Sequence, residues 1–393
     1  MVLFEEALHT VLTQTFSPET ERVPLHEAVG RILAEDIFSD MNMPPFDKSA
    51  VDGYACLKAE KALHAENLQV LEIIPAGSVP QHAIIQGTCS KIMTGAMLPP
   101  GADCVIMVEE TKLLAEKLVQ VTHLNTGTNI CYQGEDIRQG DLVLHKGIRI
   151  TPAHVAVLAS VGATDPLVAR LPRVGIISTG DELVEPWIVP GIARIRNSNA
   201  SQLEAQLRAL PAQPNYYGIV TDEGPELRKI IDLALSNNDV VLLTGGVSMG
   251  DFDFVPAIME ESGLEILFKS IAIQPGKPTV FARKSNTFAF GLPGNPVSSF
   301  VLFEVLVKPF LLRLMGCTEE PLTFKLPMGA DFSRRKSVRK SMIPVIIRDG
   351  QVFPVEYHGS AHTNAYSVAT GIMAMEIGAT TIKKGEQVYV RPL

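Results

Sequence analysis

Residues 172–183 read P-R-V-G-I-I-S-T-G-D-E-L, and this stretch decides the fold. A largely apolar run at 174–178 leads directly into a polar turn that contains Gly180. A buried strand that ends in such a turn, followed by a helix, is the repeating unit of a parallel sheet with crossover helices. The stretch therefore predicts the first strand of an α/β domain.

Three further units of the same kind follow along the chain. The predicted strands are 216–220, 240–243 and 287–291, and the predicted helices are 198–210, 225–236, 255–262 and a long one ending near 314. We expect Asn199 or a neighbour to begin the first of these helices, because asparagine is a good N-cap. Asn295 is expected to cap the last helix, with Pro296 as its first residue. The four units predict a parallel-type sheet with flanking helices.

The chain on either side of this α/β region has a different pattern. Before it, helical periodicity at 3–16 and 25–36 and a small-residue helix at 153–160 enclose a segment, 43–136, in which short β-type runs alternate with turns. After Cys317 the pattern is again that of short strands. The predicted fold class is therefore multidomain α/β plus β, with a central α/β domain, a β-rich domain and a small C-terminal β domain.

Composition excludes several classes of function. The 393 residues carry 34 Lys and Arg against 43 Asp and Glu, a net charge of −9, which gives no general electrostatic reason to bind nucleic acid or an anionic membrane. Five cysteines without a C-x-x-C pair indicate neither a disulfide framework nor a zinc knuckle, and they favour a reducing compartment. Glu5 and Glu6 stand where a secretory signal needs positive charge. We expect a cytoplasmic protein that binds neither nucleic acid nor membrane.

Acidic residues gather after the predicted strands. They are Asp181, Glu182, Asp222, Asp251 and Asp253. In an open α/β sheet, ligands bind outside the carboxyl ends of the strands, so we expect these side chains to meet at one edge. Converging carboxylates repel one another unless a hard cation lies among them, and an all-oxygen set suits Mg²⁺. The alternative is that each residue only caps the helix that follows it.

Glycine-rich turns and isolated cations beside these carboxylates suit an anion. Gly245, Gly246 and the turn 291–294 stand at predicted helix starts, where backbone N–H groups attract phosphate, although tight turns also need glycine for steric reasons. Lys277 is held between two prolines in P-G-K-P. A dense basic run is typical of either a solvated loop or an anion-binding patch. Its cations are Arg334, Arg335, Lys336, Arg339 and Lys340.

Other catalytic chemistry has little support in the sequence. There is no serine nucleophile elbow, and no cysteine has a basic partner nearby in sequence. His358 and His362 have the spacing of a helical metal pair, but Gly359 and Ser360 between them favour a loop.

Seven sequence blocks carry a resemblance to a known family. They are P-P-F-D-K-S-A-V-D-G-Y-A (44–55), I-M-T-G-A (92–96), G-E-D-I (134–137), S-T-G-D-E-L (178–183), G-G-V-S-M-G-D (245–251), P-G-K-P (275–278) and G-L-P-G-N-P-V-S (291–298). In this order, and over nearly the whole chain, they resemble the molybdopterin molybdenumtransferase family, the MoeA-type proteins to which the gephyrin E domain also belongs.

The resemblance implies an architecture and a reaction. The expected subunit of an elongated homodimer has a mixed helical and β domain in two segments (1–38 and 135–170), an inserted β-rich domain (39–134), a molybdopterin-binding α/β domain (171–317) and a C-terminal β-barrel-like domain (318–393). The implied enzyme is a magnesium-dependent transferase of molybdenum cofactor biosynthesis. It takes molybdate and adenylylated molybdopterin and releases AMP as the metal enters the dithiolene. A molybdopterin adenylyltransferase and maturation partners of molybdoenzymes are the expected protein partners.

The resemblance also implies roles for individual residues. The catalytic set comprises Asp52 and Thr94, which would reach across the dimer, Asp136 near the same cleft, and the magnesium or substrate ligands Glu182, Asp222 and Asp253. The substrate-binding set comprises Gly245, Gly246, Ser248, Lys277, Pro293, Gly294, Asn295, Arg339 and Ser360. Ser270 and Gln274 stand where some relatives carry lysines.

Two other functions stay open at this point. A paralogue that only binds the finished cofactor or a partner protein is motivated by Ser270 and Gln274, and its turnover would not depend on Glu182 or Asp253. An adenylylating enzyme, like the related single-domain molybdopterin proteins, would share only the α/β part, and the extra domains argue against it. The preference for molybdate or tungstate is open as well.

Overall fold

A computed structural model describes residues 1–14, 18–58, 67–122, 127–221, 224–247, 255–356 and 364–393. The contacts between residues divide the chain into two compact units. The large unit comprises Met1–Glu35, Lys146–Thr151 and Asp165–Leu393. The small unit comprises Asp36–His145 and Pro152–Thr164. The four domain boundaries expected from the sequence stay a prediction.

The large unit is built around a six-stranded sheet that contains the strand predicted at 174–178. In spatial order its strands are Gln213–Val220, Arg173–Thr179, Val240–Thr244, Thr287–Leu292, Val280–Lys284 and Glu265–Phe268. The first four run parallel, which confirms the predicted α/β rhythm. The last two run antiparallel to their neighbours and were not predicted. Ser285, with a φ of 53°, turns the hairpin that leads to this edge.

Helices cover both faces of this sheet. Their bounds are Ser198–Arg208, Gly224–Asn237, Val255–Glu261 and Pro296–Leu302, the last of which continues as a π-helical turn, Phe303–Val307, and an α-helix, Lys308–Leu314. Alternate residues of a strand point to opposite faces. Val240 and Leu242 therefore join one hydrophobic cluster, and Val241 and Leu243 join another. Strands with both faces buried are typical of parallel sheets.

Asparagine side chains begin two of these helices. Asn295 Oδ1 accepts hydrogen bonds from the N–H groups of Val297 (3.2 Å) and Ser298 (3.4 Å), which confirms the predicted cap. The helix after the first strand is capped by Asn197, whose Oδ1 accepts from the Ala200 N–H at 3.3 Å. Asn199 is not the cap, because its side chain is used in a contact with a neighbouring turn.

Asp239 fixes the amino ends of two neighbouring strands. Its carboxylate accepts hydrogen bonds from the Arg173 N–H (2.7 Å) and from the Arg170 guanidinium (3.0 Å). Its own N–H donates to Arg173 O at 2.9 Å. Burial alone would raise the pKa of Asp239, but hydrogen bonds from the two arginines outweigh burial and hold that pKa below its ordinary value. The ionised carboxylate therefore stabilises the folded protein.

The Asp239→Asn variant is expected to lose about 1–3 kcal/mol of unfolding free energy, because hydrogen bonds to a charged group are removed. Since the pKa of Asp239 is lower in the folded protein, its contribution is complete above the pKa of the unfolded chain and is lost as the pH falls through the folded pKa. Urea unfolding from neutral pH down to about pH 3 should show the two chains converging. If the difference in unfolding free energy between wild type and Asp239→Asn stayed constant over this pH range, the stabilising role of the ionised Asp239 would be contradicted. Asp232→Asn, on an exposed helix face, is the matched control.

The large unit also contains three further helices and a second, C-terminal sheet among its described residues. The helices are Phe4–Thr13, Leu25–Ala28 and Asn364–Val368. The C-terminal sheet has the order Ile273–Gln274, Lys340–Arg348, Gly371–Met375, Gln387–Pro392, Phe324–Pro327, and Gln351–Pro354 also pairs with its second strand. Strand pairs join Thr20–Arg22 to Leu167–Ala169, Leu183–Val184 to Ile195–Arg196, and Phe332–Ser333 to Thr381–Ile382.

One helix prediction in the large unit is wrong over most of its length. The helix expected at 25–36 ends at Ala28. Val29 is extended, and Gly30 takes a φ of 84°, a conformation that no helix accommodates. Ile32 and Leu33 then form β-bridges, so their apolar spacing serves a sheet-like contact and not a helix face.

The small unit is rich in strands, as predicted for 43–136. Its six-stranded sheet has the order Cys104–Met107, Gly53–Cys56, Thr88–Ile92, Asn67–Ile74, Leu118–Val121, Thr111–Ala115. Two short pairs join Lys48–Ser49 to Ile130–Cys131 and Ile37–Phe38 to Leu142–Leu144. A 3₁₀ turn, Val108–Glu110, and the helix Pro152–Ser160 complete the unit. In the part of the chain that the structure describes, no helix combines the length and apolarity needed to cross a membrane.

Candidate functional site

Three neighbouring parallel strands end at one edge of the α/β sheet, here called the carboxyl edge. Their last residues are Thr179, Thr244 and Leu292, and Thr244 is in register with both Ser178 and Leu292. The turns that follow these strands therefore open side by side. The predicted site residues that lie in these turns are Glu182, Gly245, Gly246, Pro293, Gly294 and Asn295.

Direct contacts tie two of the turns together. The Gly245 N–H donates to Leu292 O at 3.1 Å. A Cβ at Gly294 would lie 3.5 Å from Gly245 Cα, so the two backbones are in van der Waals range. Asn199 Nδ2 donates to Gly294 O at 2.8 Å and fixes the second turn from the helix side. The two turns thus form one continuous backbone surface.

The Gly245–Gly246 turn requires glycine on steric grounds. Gly245 has a φ of 96°, and a Cβ there would lie 2.3 Å from Thr179 O. Gly246 has a φ of 61°, and its Cβ would lie 2.8 Å from Val255 Cγ2. Because neither position carries a side chain, a ligand can approach the backbone N–H groups closely. The steric and the anion-binding interpretations are therefore compatible.

Glu182 presents an exposed carboxylate at the carboxyl edge. Its Oε2 lies above Gly180, where a Cβ would come within 2.7 Å of that oxygen. Mg²⁺ is commonly bound through one or two carboxylates together with substrate phosphates and water. The exposed carboxylate of Glu182 fits this ion.

Several predicted ligands cannot be placed beside Glu182. Asp222, Ser248, Asp251, Asp253 and Ser360 lie outside the described residues, as do His358 and His362. Among the residues that are described, no three His, Cys, Asp or Glu side chains are grouped as a metal site would need. The magnesium site therefore stays a prediction, and Glu182 is the proposed ligand that lies among the described residues.

A network of side-chain hydrogen bonds that was not predicted lies next to the carboxyl edge. Ser178 Oγ donates to Asn197 Oδ1 at 3.3 Å, and Asn197 Nδ2 donates to the Tyr216 hydroxyl at 2.9 Å. That hydroxyl donates to Glu185 Oε1 at 2.9 Å. Burial raises the pKa of Tyr216, and the carboxylate of Glu185 raises it further, so the phenol stays protonated. The polar sequence R-N-S-N at 196–199 is the sequence feature from which this network could have been predicted.

Two buried oxygen atoms at this edge lack hydrogen-bond partners among the described residues. Thr179 is 3% exposed and Asn199 is 7% exposed, and the atoms are Thr179 Oγ1 and Asn199 Oδ1. Buried polar atoms are normally paired, and exceptions in native proteins tend to mark functional sites. The carboxyl edge therefore combines close backbone turns, an exposed carboxylate and unsatisfied polar atoms.

Arg339 contacts the first strand of the C-terminal sheet, and Lys277 lies just after that strand. That strand, Ile273–Gln274, runs parallel to Lys340–Arg348, and Arg339 Nη1 donates to Ile273 O at 3.3 Å. Lys277 follows the strand by three residues and is exposed. A Cβ at Gly276 would lie 2.8 Å from Leu302 Cδ1, so the P-G-K-P loop rests on the long helix that begins at the carboxyl edge.

The basic run divides into structural and exposed members. Arg334 donates to Ala379 O and Arg339 O, each at 2.8 Å, and also to Glu376 O and Ser341 Oγ. Lys340 Nζ lies 2.6 Å from Glu5 Oε1 and 2.8 Å from Glu376 Oε1. Arg335 and Lys336 are exposed. Neither alternative describes the whole run, because two of its cations hold the fold together.

The small unit brings its own three motifs together. Asp52 Oδ1 accepts hydrogen bonds from both the N–H and the hydroxyl of Thr94, each at 2.7 Å. The Asp136 N–H donates to Met43 O at 3.1 Å, and the Gly134 N–H donates to Pro44 O at 3.0 Å. Motifs at 44–55, 92–96 and 134–137 are therefore neighbours in space, although they are far apart in sequence.

Asp52 is held as an ionised acceptor in this cluster. The Thr94 N–H lowers the pKa of Asp52 most, followed by the Thr94 hydroxyl, and nearby Lys91 adds to the effect. The side chain is fully exposed to solvent, so the charge is available to a ligand or a partner chain.

An apolar loop begins shortly after Glu182. The pairing of Leu183–Val184 with Ile195–Arg196 closes the base of the loop. Trp187 is 75% exposed, and Val189 and Ile192 are also exposed. Trp187 is the one tryptophan in the chain.

Two family models match the chain. The model described as MoeA N-terminal region (domain I and II) matches residues 2–162. The model described as Probable molybdopterin binding domain matches residues 175–313. Together they span the small unit and the α/β sheet with its turns.

Relatives named molybdopterin molybdenumtransferase are similar over most of the chain. The Bacillus subtilis protein is 39% identical over 347 residues, which cover 84% of this chain and 80% of that protein. The Staphylococcus epidermidis protein is 36% identical over 98% of this chain and 94% of that protein. The Haemophilus influenzae protein is 34% identical over 100% of this chain and 98% of that protein.

Solved structures share the fold. The crystal structure of the molybdopterin biosynthesis moeA protein from Pyrococcus horikoshii has a TM-score of 0.87 and 30% identity, with 100% of both chains covered. A molybdenum cofactor biosynthesis protein from Pyrococcus furiosus has a TM-score of 0.64 at 21% identity, again over 100% of both chains.

Proposed function

Because the chain belongs to the MoeA family of molybdopterin molybdenumtransferases, we propose that it inserts molybdenum from molybdate into adenylylated molybdopterin and releases AMP. The observation that carries this proposal is the carboxyl edge, where three neighbouring strand ends present glycine turns beside an exposed carboxylate. This is the place where an open α/β sheet binds its ligands. The matched relatives support a transferase that uses both units, because they align along both of them.

The proposed substrate is an anion, and the chain offers two kinds of anion ligand. The Gly246 N–H, in the turn where neither glycine carries a side chain, would hold a phosphate oxygen. Lys277 and Arg339 would bind the charge of molybdate or of the second phosphate. Fixed donors of this kind stabilise the transition state because they need no reorganisation as charge develops.

Glu182 would provide a ligand for magnesium, with Asp222 and Asp253 as the proposed further ligands. Bound Mg²⁺ supplies screening of the phosphate charge while the P–O bond to AMP breaks. Glu182 itself would remain ionised and exposed, and its carboxylate would orient the phosphate end of the substrate at the carboxyl edge.

We further propose that two copies of the chain form a homodimer in which Asp52, Thr94 and Asp136 of one copy complete the cleft of the other. The exposed, ionised Asp52 held by Thr94 supports this role. Five cysteines without a C-x-x-C pair favour a reducing compartment, and we propose the cytoplasm. A molybdopterin adenylyltransferase is the proposed supplier of the substrate.

The function is tested by AMP release from adenylylated molybdopterin. Purified protein is incubated with magnesium and molybdate, AMP is quantified by chromatography, and the Bacillus subtilis relative is run in parallel. Release that requires both molybdate and magnesium supports the proposal. No release alongside an active relative would contradict it and would favour a chain that only binds the cofactor.

Mixing two inactive variants should restore activity if the cleft is shared between subunits. An Asp52→Asn chain and a Glu182→Gln chain are refolded or coexpressed together, so that they form heterodimers with one intact cleft. With random pairing in a two-fold dimer, about half of the dimers are heterodimers, and about a quarter of wild-type AMP release is expected. The variants tested separately, and a mixture of Glu182→Gln with Lys277→Gln, are the controls. Both residues of that control pair come from the same subunit's side of the cleft, so that mixture should stay inactive. No recovery in the first mixture would argue against the shared cleft.

A further inference from the structure

A cavity of about 570 Å³ lies at the far end of the long helix that begins at Asn295. Its volume is in the range of small-molecule sites. The helix contributes Lys308 and Arg313 to the lining, the chain just after it contributes Cys317, and the C-terminal strand contributes Arg391. None of these residues has a place in the proposed transfer reaction.

The cavity is remote from the carboxyl edge. The helical segment from Asn295 to Arg313 rises about 1.5 Å per residue, so its two ends are about 27 Å apart. Leu314 and Met315, at the cavity end, lie beside Pro172 and Asp239, which precede two strands at their amino ends. The cavity therefore lies at the opposite edge of the α/β sheet.

A π-helical turn shapes the wall of this cavity. The Lys308 N–H donates to Phe303 O, five residues back, and Pro309 has no N–H to offer to Glu304 O. Arg391 fills this role, because its Nη1 donates to Glu304 O at 2.8 Å. The π turn thus draws the Arg391 guanidinium to the cavity.

Glu304, one of three acidic residues in the cavity lining, is already paired. Glu304 is 7% exposed, and its Oε1 accepts from Gln206 Nε2 at 2.8 Å. Its Oε2 accepts from Lys308 Nζ at 2.9 Å. The Glu304 carboxylate therefore has little capacity left to neutralise other cations in the cavity.

Four basic and three acidic residues line the same space. The basic residues are Arg149, Lys308, Arg313 and Arg391, and the acidic residues are Glu304, Glu319 and Glu320. Burial lowers the pKa of Arg391, which reports a cation that has lost water, although the charge of Glu304 works in the other direction. Glu319 also lines the cavity, and it accepts a hydrogen bond from the Arg149 backbone N–H at 3.3 Å. With Glu304 paired to Lys308, three arginines stand against two glutamates in the lining, which leaves a net positive charge in a chain of net charge −9.

Apart from Thr13 and Thr318, the rest of the lining is apolar. It includes Leu12, Pro309, Leu312, Leu322 and Pro392. Ligand sites typically combine an apolar lining with a few polar groups that fix orientation. Arginine is the side chain best suited to bind carboxylate or phosphate through two parallel hydrogen bonds.

We propose that this cavity binds a small organic oxyanion, one whose phosphate or carboxylate group contacts Arg149 and Arg313 while an apolar group fills the space between Leu12, Leu312 and Leu322. The site is separate from the molybdenum transfer site and does not depend on that function. A ligand that binds here contacts helix, loop and C-terminal strand at once, so it stabilises the folded large unit by mass action.

The test is isothermal titration of the full chain with phenyl phosphate and, in a second arm, with benzoate. Saturable binding of either probe is expected, and the preferred arm identifies the oxyanion. Arg149→Gln and Arg313→Gln should each weaken binding about tenfold or more, because each removes a charge-assisted hydrogen bond. Arg228→Gln, which removes an exposed arginine on another helix, is the matched control and should bind as the wild type does.

Two results would overturn the proposal. One is the absence of saturable binding in both arms with folded wild-type protein. The other is binding that survives in the Arg149→Gln and Arg313→Gln chains but is lost in the Lys277→Gln chain. That pattern would place the anion at the proposed transfer site and not in this cavity. Circular dichroism and the thermal midpoint of each variant establish that it is folded.

Discussion

Glu182→Gln should lower the rate of AMP release by about 10³-fold, because metal-assisted charge stabilisation is worth several kcal/mol and each 1.36 kcal/mol is a factor of ten in rate. Glutamine keeps the length of the side chain and one oxygen atom, so the loss would come from the missing charge. The exposed position of Glu182 above Gly180 makes a folding defect an improbable cause.

The magnesium dependence makes this prediction specific. If Glu182 holds the ion, the variant should need a higher magnesium concentration for half-maximal rate, and excess magnesium should recover part of the activity. Asp181→Asn removes the neighbouring exposed carboxylate and is the control, with a rate expected to stay within a few-fold of wild type. A Glu182→Gln chain with an unchanged magnesium requirement would remove Glu182 from the proposed site.

Gly245→Ala should destabilise the large unit by about 4 kcal/mol. A left-handed backbone conformation costs about 1–2 kcal/mol for a residue with a Cβ, and forcing atoms into a packed position adds about 1–3 kcal/mol. The second cost applies here because the new Cβ would lie 2.3 Å from Thr179 O, a backbone atom that cannot rotate away. The strand ends at the carboxyl edge would have to separate.

The Gly350→Ala variant separates the cost of the backbone conformation from the cost of the steric clash. Gly350 has a φ of 70°, but nothing lies within 4 Å of the position that its Cβ would take. Only the conformational cost of about 1–2 kcal/mol is then expected. Urea unfolding followed by circular dichroism measures both variants against wild type. Equal losses for the two variants would show that the Gly245 turn relaxes without resistance from Thr179.

The parts of the fold that were predictable are those that local sequence determines. The apolar runs of the parallel strands, and the Asn295-Pro296 pair at the start of the long helix, contain the information that forms them. The carboxyl edge followed from general rules for open α/β sheets. Glu182 and the glycine turns could therefore be singled out before any coordinates.

What could not be predicted depends on residues far apart in the chain. Lys340 pairs with Glu5, 335 residues away, so the sequence could not separate the structural cations of the basic run from the exposed ones. The edge strand Glu265–Phe268 exists because Val280–Lys284 pairs with it. The apolar spacing after Leu25 suits a helix, and only the bridges of Ile32 and Leu33 to distant residues decide otherwise.

The single tryptophan gives the chain an internal optical probe. Trp187 is five residues beyond Glu182 and 75% exposed, so the ultraviolet fluorescence of the free protein arises from an indole surrounded by water. An indole in water emits at longer wavelength than one in an apolar environment. Any event that covers the loop, whether substrate or a second chain, would shift this emission to the blue without a label being attached.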